Sequence, residues 1–378
     1  MISQFRVATR ILAGAGALAE TRAALTDLGV SRVVVVADRG LAELGLLSGI
    51  LDAANVDDLV VATALTDVNP TPTAVEAAAE AARGRHAEAV IGVGGGSALG
   101  AAKAVALLLT NPVPALELEG VDRAFTRPAP TVAIPTTAGS GSEVSNALVL
   151  HQPGLVREVV IRGSGYEPIA AVLDAVVLRQ LPRAPLVFAA LDALSHALES
   201  LWAAGGSMFT EACAVRAARE ILDTLPNAVG GIDDGRNSAG ENDAALQRLL
   251  EASCLANLAC GNSGLALVHA LSSSPAVHLP HGMQNGILLP RVAQFNRTAL
   301  TAEGRALVDR LPALYDAIGF DPRFRDRAAD VEAMLDASRD HPFRTNNICD
   351  TNDDQLRDLL RDAGATDAVS ATSLRERS

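Results

Sequence analysis

The sequence predicts an α/β N-terminal domain built on a parallel, Rossmann-like sheet (residues 1–185), followed by an all-α C-terminal domain (186–378). Three observations carry this. At 378 residues the chain exceeds what one hydrophobic core usually serves. In the first half, short apolar runs rich in β-branched residues alternate with Ala-rich helical segments, the pattern of a parallel sheet covered on both faces. From about Leu186 onward, apolar residues recur at helical spacing and no strand-like run interrupts them.

In chain order, Arg6 and Arg10 precede ILAGAGALA, which ends in an A-x-A pattern and superficially resembles a leader. The run feeds directly into an amphipathic stretch, Leu18–Leu28, that needs a core, so it is expected to belong to the fold. The buried-strand runs are Arg32–Ala37, Leu59–Ala62, Ala87–Val93 and Pro130–Ile134, with helices expected over Pro72–Arg83 and Ala98–Leu109. Pro182 and Pro185 mark a hinge, Leu181–Val187. Helices follow over Thr210–Leu225, Ala244–Ala259, Gly264–Leu271, Met283–Phe295 and Gly304–Ile318, and the Gly-rich Pro226–Asn242 is expected as a surface loop.

Composition narrows the function classes. Hydrophobic residues at 49% against 20% charged exclude a disordered chain. A formal net charge of −13 repels nucleic acid and anionic membrane, so neither is an expected partner. No apolar run reaches the roughly 18 residues of a membrane span. Cys213, Cys254, Cys260 and Cys349 form no C-x-x-C pair and read as reduced thiols of a cytoplasmic protein.

The chemistry concentrates on Leu191–His196, LDALSH. Asp192 and His196 stand four residues apart, on one helical face, where both can grip one divalent cation. His269 in LVHAL and His281 in LPHG follow. A carboxylate with three imidazoles is a mixed O/N set suited to Fe(II) or Zn(II) rather than Mg or Ca. Alone, D-x-x-x-H also arises by chance in helices.

Two Gly-rich turns lie where strands of the first half end. In GVGGGSALGAAK, Gly94, Gly95 and Gly96 leave backbone N–H groups open at a helix start, with Ser97 as the expected cap, so the turn reads either as a phosphate loop or as a simple tight turn. Lys103, the only lysine among 31 Lys plus Arg, lies on the first turns of this helix, where it either adds to a phosphate site or is a solvated helix residue, and it is left outside the expected site. The second turn, IPTTAGSGSEVS, surrounds Gly139 and Gly141 with Thr136, Thr137, Ser140 and Ser142 beside a strand end, where open α/β sheets bind ligands.

This second string resembles the P-T-T-x-x-[GS]-[ST]-[GA]-[SA]-E motif of the iron-containing (group III) alcohol dehydrogenases. Similarity extends nearly end to end. Arg10–Gly16 resembles that family's first hairpin, Ala37–Leu41 its adenosine-ribose turn and Asn69–Thr71 its adenine-side loop. Asp192 to Glu199 resembles its D-A-x-x-H-A-x-E helix, and Asn262–Ala270 and Pro280–Pro290 its remaining ligand segments.

The resemblance implies the dehydroquinate synthase-like fold of these dehydrogenases, with Asp192, His196, His269 and His281 binding Fe2+, or alternatively Zn2+. It implies NAD, in preference to NADP, held by Asp38, Asn69, Gly95, Gly96, Ser97, Thr136 and Thr137 across a cleft between the domains. The implied activity is reversible hydride transfer to a small aldehyde or from a small alcohol, in a cytoplasmic homodimer. No side-chain nucleophile and no catalytic residue beyond the metal ligands is required.

Three positions depart from the family pattern. Gly100 replaces the acidic residue of GGGS-x-x-D, Ser273 replaces a further histidine, and the His269–His281 spacing is shorter than usual. His278 lies in that shortened loop, either as a substitute proton relay or merely exposed, with the second favoured. A sugar-phosphate cyclase on the related fold fits poorly with a single lysine. Glycerol dehydrogenase and maleylacetate reductase fit the D-A-L-S-H and PHG segments less well, and a non-catalytic relative is the remaining alternative.

Overall fold

The computed structural model describes residues 4–154, 158–325 and 329–367. The chain divides into a sheet unit (Arg6–Leu186 with Asn227–Leu258) and a helical unit (Met1–Phe5, Val187–Pro226 and Ala259–Ser378).

In the sheet unit the described strands are β1 (Arg10–Ala13), β2 (Val33–Asp38), β3 (Val60–Thr66), β4 (Ala89–Gly94), β5 (Gly120–Val121), β6 (Thr131–Pro135), β7 (Ala147–Leu150), β8 (Val159–Arg162) and β9 (Ala170–Leu173). Six form one parallel sheet in the order β1-β9-β6-β4-β2-β3. The valine run of β2 and every residue of β4 are buried, as expected of strands covered on both faces. Parallel neighbours need crossovers. Helix Pro72–Gly84 supplies one, started by the Thr71 cap and by Pro72 in its first turn; helix Gly96–Thr110, buried along most of its length, supplies another. Because β3 and β4 leave β2 on opposite sides, the strand order reverses at β2 and β4. Asp38, Gly94 and Pro135 therefore end three adjacent strands at one edge.

Several expectations change here. Arg10–Ala13 makes no hairpin; it pairs in parallel with β9, and Gly14 and Gly16, both at positive φ, turn the chain into a 3-10 turn and then helix Glu20–Thr26. The short strands β5, β7, β8 and β9 were not expected, and β5-β8-β7 form a second small sheet. The stretch expected as a loop from Pro226 is helical to Asp233, because buried Leu225, Ala228 and Val229 carry helix Met208–Asp233 through the proline. Asn227–Leu258 belongs with the sheet for concrete reasons. Gln247 accepts from the Ala175 N–H (2.8 Å) and donates to the Leu173 carbonyl (2.9 Å), Arg179 pairs with Asp243, and Asn257 donates to the Gly139 carbonyl (2.8 Å).

The helical unit is assembled from Arg183–Leu201 (from Val187 onward), Met208–Asp233 (up to Pro226), Asp243–Ser263 (from Ala259), Leu267–Leu271, His281–Asn296, Ala302–Val308, Leu311–Ile318, Val331–Arg339, Pro342–Thr345 and Asp353–Asp362. Leu267–Leu271 packs against both His281–Asn296 and Val331–Arg339. Arg183–Leu201 passes for a membrane span by length and composition only; Asp192, His196 and Glu199 interrupt its apolar run, and it is mostly buried.

Candidate metal centre and dinucleotide loops

The metal-binding expectation concerns the helical unit alone. Asp192 and His196 lie one turn apart on Arg183–Leu201, with Nε2 of His196 3.7 Å from Oδ1 of Asp192. The same oxygen lies 3.5 Å from Nε2 of His269 and 3.7 Å from Nε2 of His281. Ligand atoms of Asp192, His269 and His281 all fall within 4.8 Å of one another, and His196 stands beside them with its ring stacked on His269. Close approach of the elements depends on Gly282, where a Cβ would meet the Phe188 carbonyl oxygen at 2.1 Å. Three of the four side chains are buried, whereas that of His281 is 54% exposed and forms the open edge.

Glu199, fully buried one turn beyond His196, received no role from the sequence. Its carboxylate accepts the Val268 N–H at 2.5 Å and lies 2.5 Å from Nδ1 of His269. A carboxylate only accepts, so Nδ1 carries a proton, and Nε2 is the nitrogen turned toward Asp192. Asn285, one turn after His281, was also missed. Its amide nitrogen lies 2.7 Å from Oδ1 of Asp192, 3.0 Å from Nε2 of His269 and 3.1 Å from Nε2 of His281. Helical spacing from an expected ligand was the available signal for both residues.

The electrostatics favour a cation. Burial alone would raise the Asp192 carboxyl, but the field of His196, His281 and His269 outweighs it and holds that group well below the usual carboxylate range. Burial pushes His196 down to about 4, whereas at His269 the carboxylates of Glu199 and Asp192 overcome burial and push it up to about 9. The field that stabilises a proton on His269 also stabilises a metal ion at Nε2. A buried carboxylate oxygen facing imidazole nitrogens, one of them fixed by a second carboxylate, fits Fe(II) or Zn(II).

In the sheet unit, Asp38 ends β2 and Oδ1 accepts the Gly40 N–H at 2.8 Å. Arg39, whose guanidinium could otherwise reach a phosphate, is paired with Asp67 (2.7 Å). Gly95, not Ser97, is the helix cap and supplies no side chain; the Ser97 hydroxyl instead accepts the N–H of Asn69, which has φ +62°. The glycine turn is a cradle that side chains would fill. A Cβ on Gly94 would lie 2.6 Å from that of Ala98, and one on Gly96 would lie 2.8 Å from the Ser140 hydroxyl. Thr136 donates its N–H to the Gly94 carbonyl (3.0 Å), and Thr137 lines the turn at Gly95. Open N–H groups at a helix start beside an acidic strand end fit a dinucleotide.

The residues that departed from the family pattern now have places. Gly100 is buried within helix Gly96–Thr110, Ser273 donates to the Ala270 carbonyl at 2.7 Å, and His278 is exposed. Lys103 is not a solvated helix residue. It is 2% exposed and donates to the carbonyls of Ser145 (3.1 Å) and Ala147 (2.5 Å), tying the glycine-turn helix to the segment after the second turn.

Comparison with known proteins identifies the family. Residues 8–175 match the family model "Iron-containing alcohol dehydrogenase", and residues 186–364 match "Fe-containing alcohol dehydrogenase family, C-terminal". The chain is 34% identical over 324 residues to the probable alcohol dehydrogenase EutG of Escherichia coli K12, covering 84% of this chain and 80% of that protein. It is 29% identical to the NAD-dependent methanol dehydrogenase of Bacillus methanolicus over 77% of this chain and 75% of that one. Among solved structures, the sulfoacetaldehyde reductase of Bifidobacterium kashiwanohense in complex with NAD+ superposes with a TM-score of 0.85 at 27% identity, covering 97% of this chain and 100% of that one. On sequence and fold together, the chain belongs to the iron-containing alcohol dehydrogenase family.

Proposed function

We propose that this chain, an oxidoreductase of the iron-containing alcohol dehydrogenase family, interconverts a small alcohol and its aldehyde with NAD(H), using a divalent metal held by Asp192, His196, His269 and His281. The observation that carries it is the convergence of Asp192, His269 and His281 on one point, with the His269 tautomer set by buried Glu199. When bound, the cation supplies Lewis acidity toward the substrate oxygen and the nicotinamide exchanges the hydride. The chain supplies position and charge. Asp192 and Glu199 provide the negative field and orient the imidazoles, and exposed His281 lies where a substrate arrives. The N–H groups at Gly95, Gly96 and Ser97 receive a pyrophosphate, with the Thr137 hydroxyl beside them and Thr136 bonded through its N–H to the Gly94 carbonyl. Asp38 keeps Oδ2 for the adenosine ribose, and Asn69 holds the neighbouring loop in place through Ser97.

In this reading residues 1–185, joined by Asn227–Leu258, form the dinucleotide-binding domain and the rest of 186–378 the metal-binding domain, Fe2+ is the working metal, and the enzyme is a cytoplasmic homodimer. Mixing the purified protein with NADH and a panel of short aldehydes tests the activity. Turnover of at least one short aldehyde is expected, and no NADH oxidation with any metal-loaded preparation would reject the assignment.

A further inference from the structure

We infer that Asn285 governs metal uptake, because its amide stands against the atoms that coordination requires; the inference rests on the metal centre proposed above. Helix His281–Asn296 places Asn285 one turn after His281, fully buried and facing the same point. Its nitrogen donates to Oδ1 of Asp192 at 2.7 Å and stands 3.0 Å from Nε2 of His269 and 3.1 Å from Nε2 of His281. Glu199 engages Nδ1 of His269, so Nε2, the nitrogen that would bind metal, is the one beside the Asn285 amide.

The other end of the amide is not held. Oδ1 of Asn285 is buried with no hydrogen-bond partner among the described residues. Asn285 is thus oriented by the ligand atoms themselves, and a cation competing for those atoms removes the bonds that keep the side chain in place. Coordination and the amide exclude each other, so the side chain turns away as metal binds. Asn285 is a positioning residue that raises the barrier to loading and lowers net affinity by the bonds that must break.

The test uses the full chain, stripped by chelator, with Co2+ as the probe. Uptake is followed by visible absorption in stopped flow, affinity by chelator competition, and thermal midpoint with and without Co2+. Asn285→Ala is expected to load roughly tenfold faster and to bind at least as tightly, tenfold being about one net hydrogen bond. It should also gain more thermal stability from Co2+ than the wild type does, because its metal-free form leaves the ligand atoms without a donor. Asn285→Asp, which keeps the shape but replaces donors by acceptors, is the second variant and should bind Co2+ more tightly than wild type. Uptake no faster in Asn285→Ala, or weaker binding in either variant, would overturn the inference while leaving the metal centre standing. A wild-type chain that takes up no Co2+ would overturn the metal centre itself.

Discussion

Replacing Glu199 separates two roles of one buried carboxylate. Glu199→Ala leaves two buried donors, the Val268 N–H and His269 Nδ1–H, without an acceptor. At about 1–3 kcal/mol each, this amounts to a destabilisation of about 2–6 kcal/mol. Glu199→Gln keeps the volume and one acceptor, but it cannot accept from both groups. If its nitrogen faces Val268, donor meets donor; if it faces His269, the imidazole proton moves to Nε2 and blocks the lone pair that metal needs. The second arrangement is the less costly, so Glu199→Gln should unfold at a higher temperature than Glu199→Ala and still bind Co2+ or Zn2+ about 10- to 100-fold more weakly than wild type. Thermal melting and chelator competition on the same preparations decide it. A Glu199→Gln protein with wild-type metal affinity would refute the tautomer argument, because a purely structural carboxylate predicts a loss of stability alone.

Other outcomes follow from the same geometry. His269→Ala should lose most bound metal and turnover yet retain NADH binding, since the glycine turns belong to the sheet unit; unchanged metal content and rate would contradict it. Asp38→Gly should gain efficiency with NADPH, because unit charges about 4 Å apart repel by roughly 1 to 4 kcal/mol, a fivefold to several-hundredfold preference. Steady-state kcat/KM for both cofactors measures it, and wild-type preference for NADPH would sink the NAD reading. Burial lowers Lys103 from 10.5 to about 7 and raises Glu143 from 4.5 to about 7. The unfolded chain then binds more protons at Lys103 between pH 7 and 10.5, so stability rises with pH there, while Glu143 makes stability fall from pH 4.5 to 7. Relative to Lys103→Met/Glu143→Gln, the wild-type melting temperature should pass through a minimum near pH 7, and a flat difference would reject both burial effects. Burial holds the Cys254 and Cys260 thiols protonated, so Ellman's reagent at pH 8 should reach only Cys213 and Cys349 before denaturation and all four thiols after it.

The parallel sheet was legible because strands buried on both faces leave unbroken apolar runs, as in Val33–Ala37 and Ala89–Val93. Strand β9 was hidden by its length, four residues of AAVL whose place comes from pairing with β1 and β6 rather than from local pattern. Pro226 misled because a buried apolar face overrode its helix-breaking tendency. At the site, the four side chains that gather around Oδ1 of Asp192 could be singled out by residue type and spacing. Glu199 and Asn285 were not, because their roles depend on which nitrogen or oxygen they meet across distant helices. Lys103 reads as a surface residue by type, and only the carbonyls of Ser145 and Ala147 show why it is buried.

The most direct measurement is a reconstitution titration: the chelator-stripped protein is reloaded anaerobically with Fe2+, and NADH-dependent aldehyde reduction is followed against bound metal. Activity should be absent at the start, rise in proportion to bound iron and level off at one ion per chain, while NADH binding stays constant throughout. Full turnover in the stripped protein, or a rate indifferent to iron bound at Asp192, His196, His269 and His281, would contradict the account.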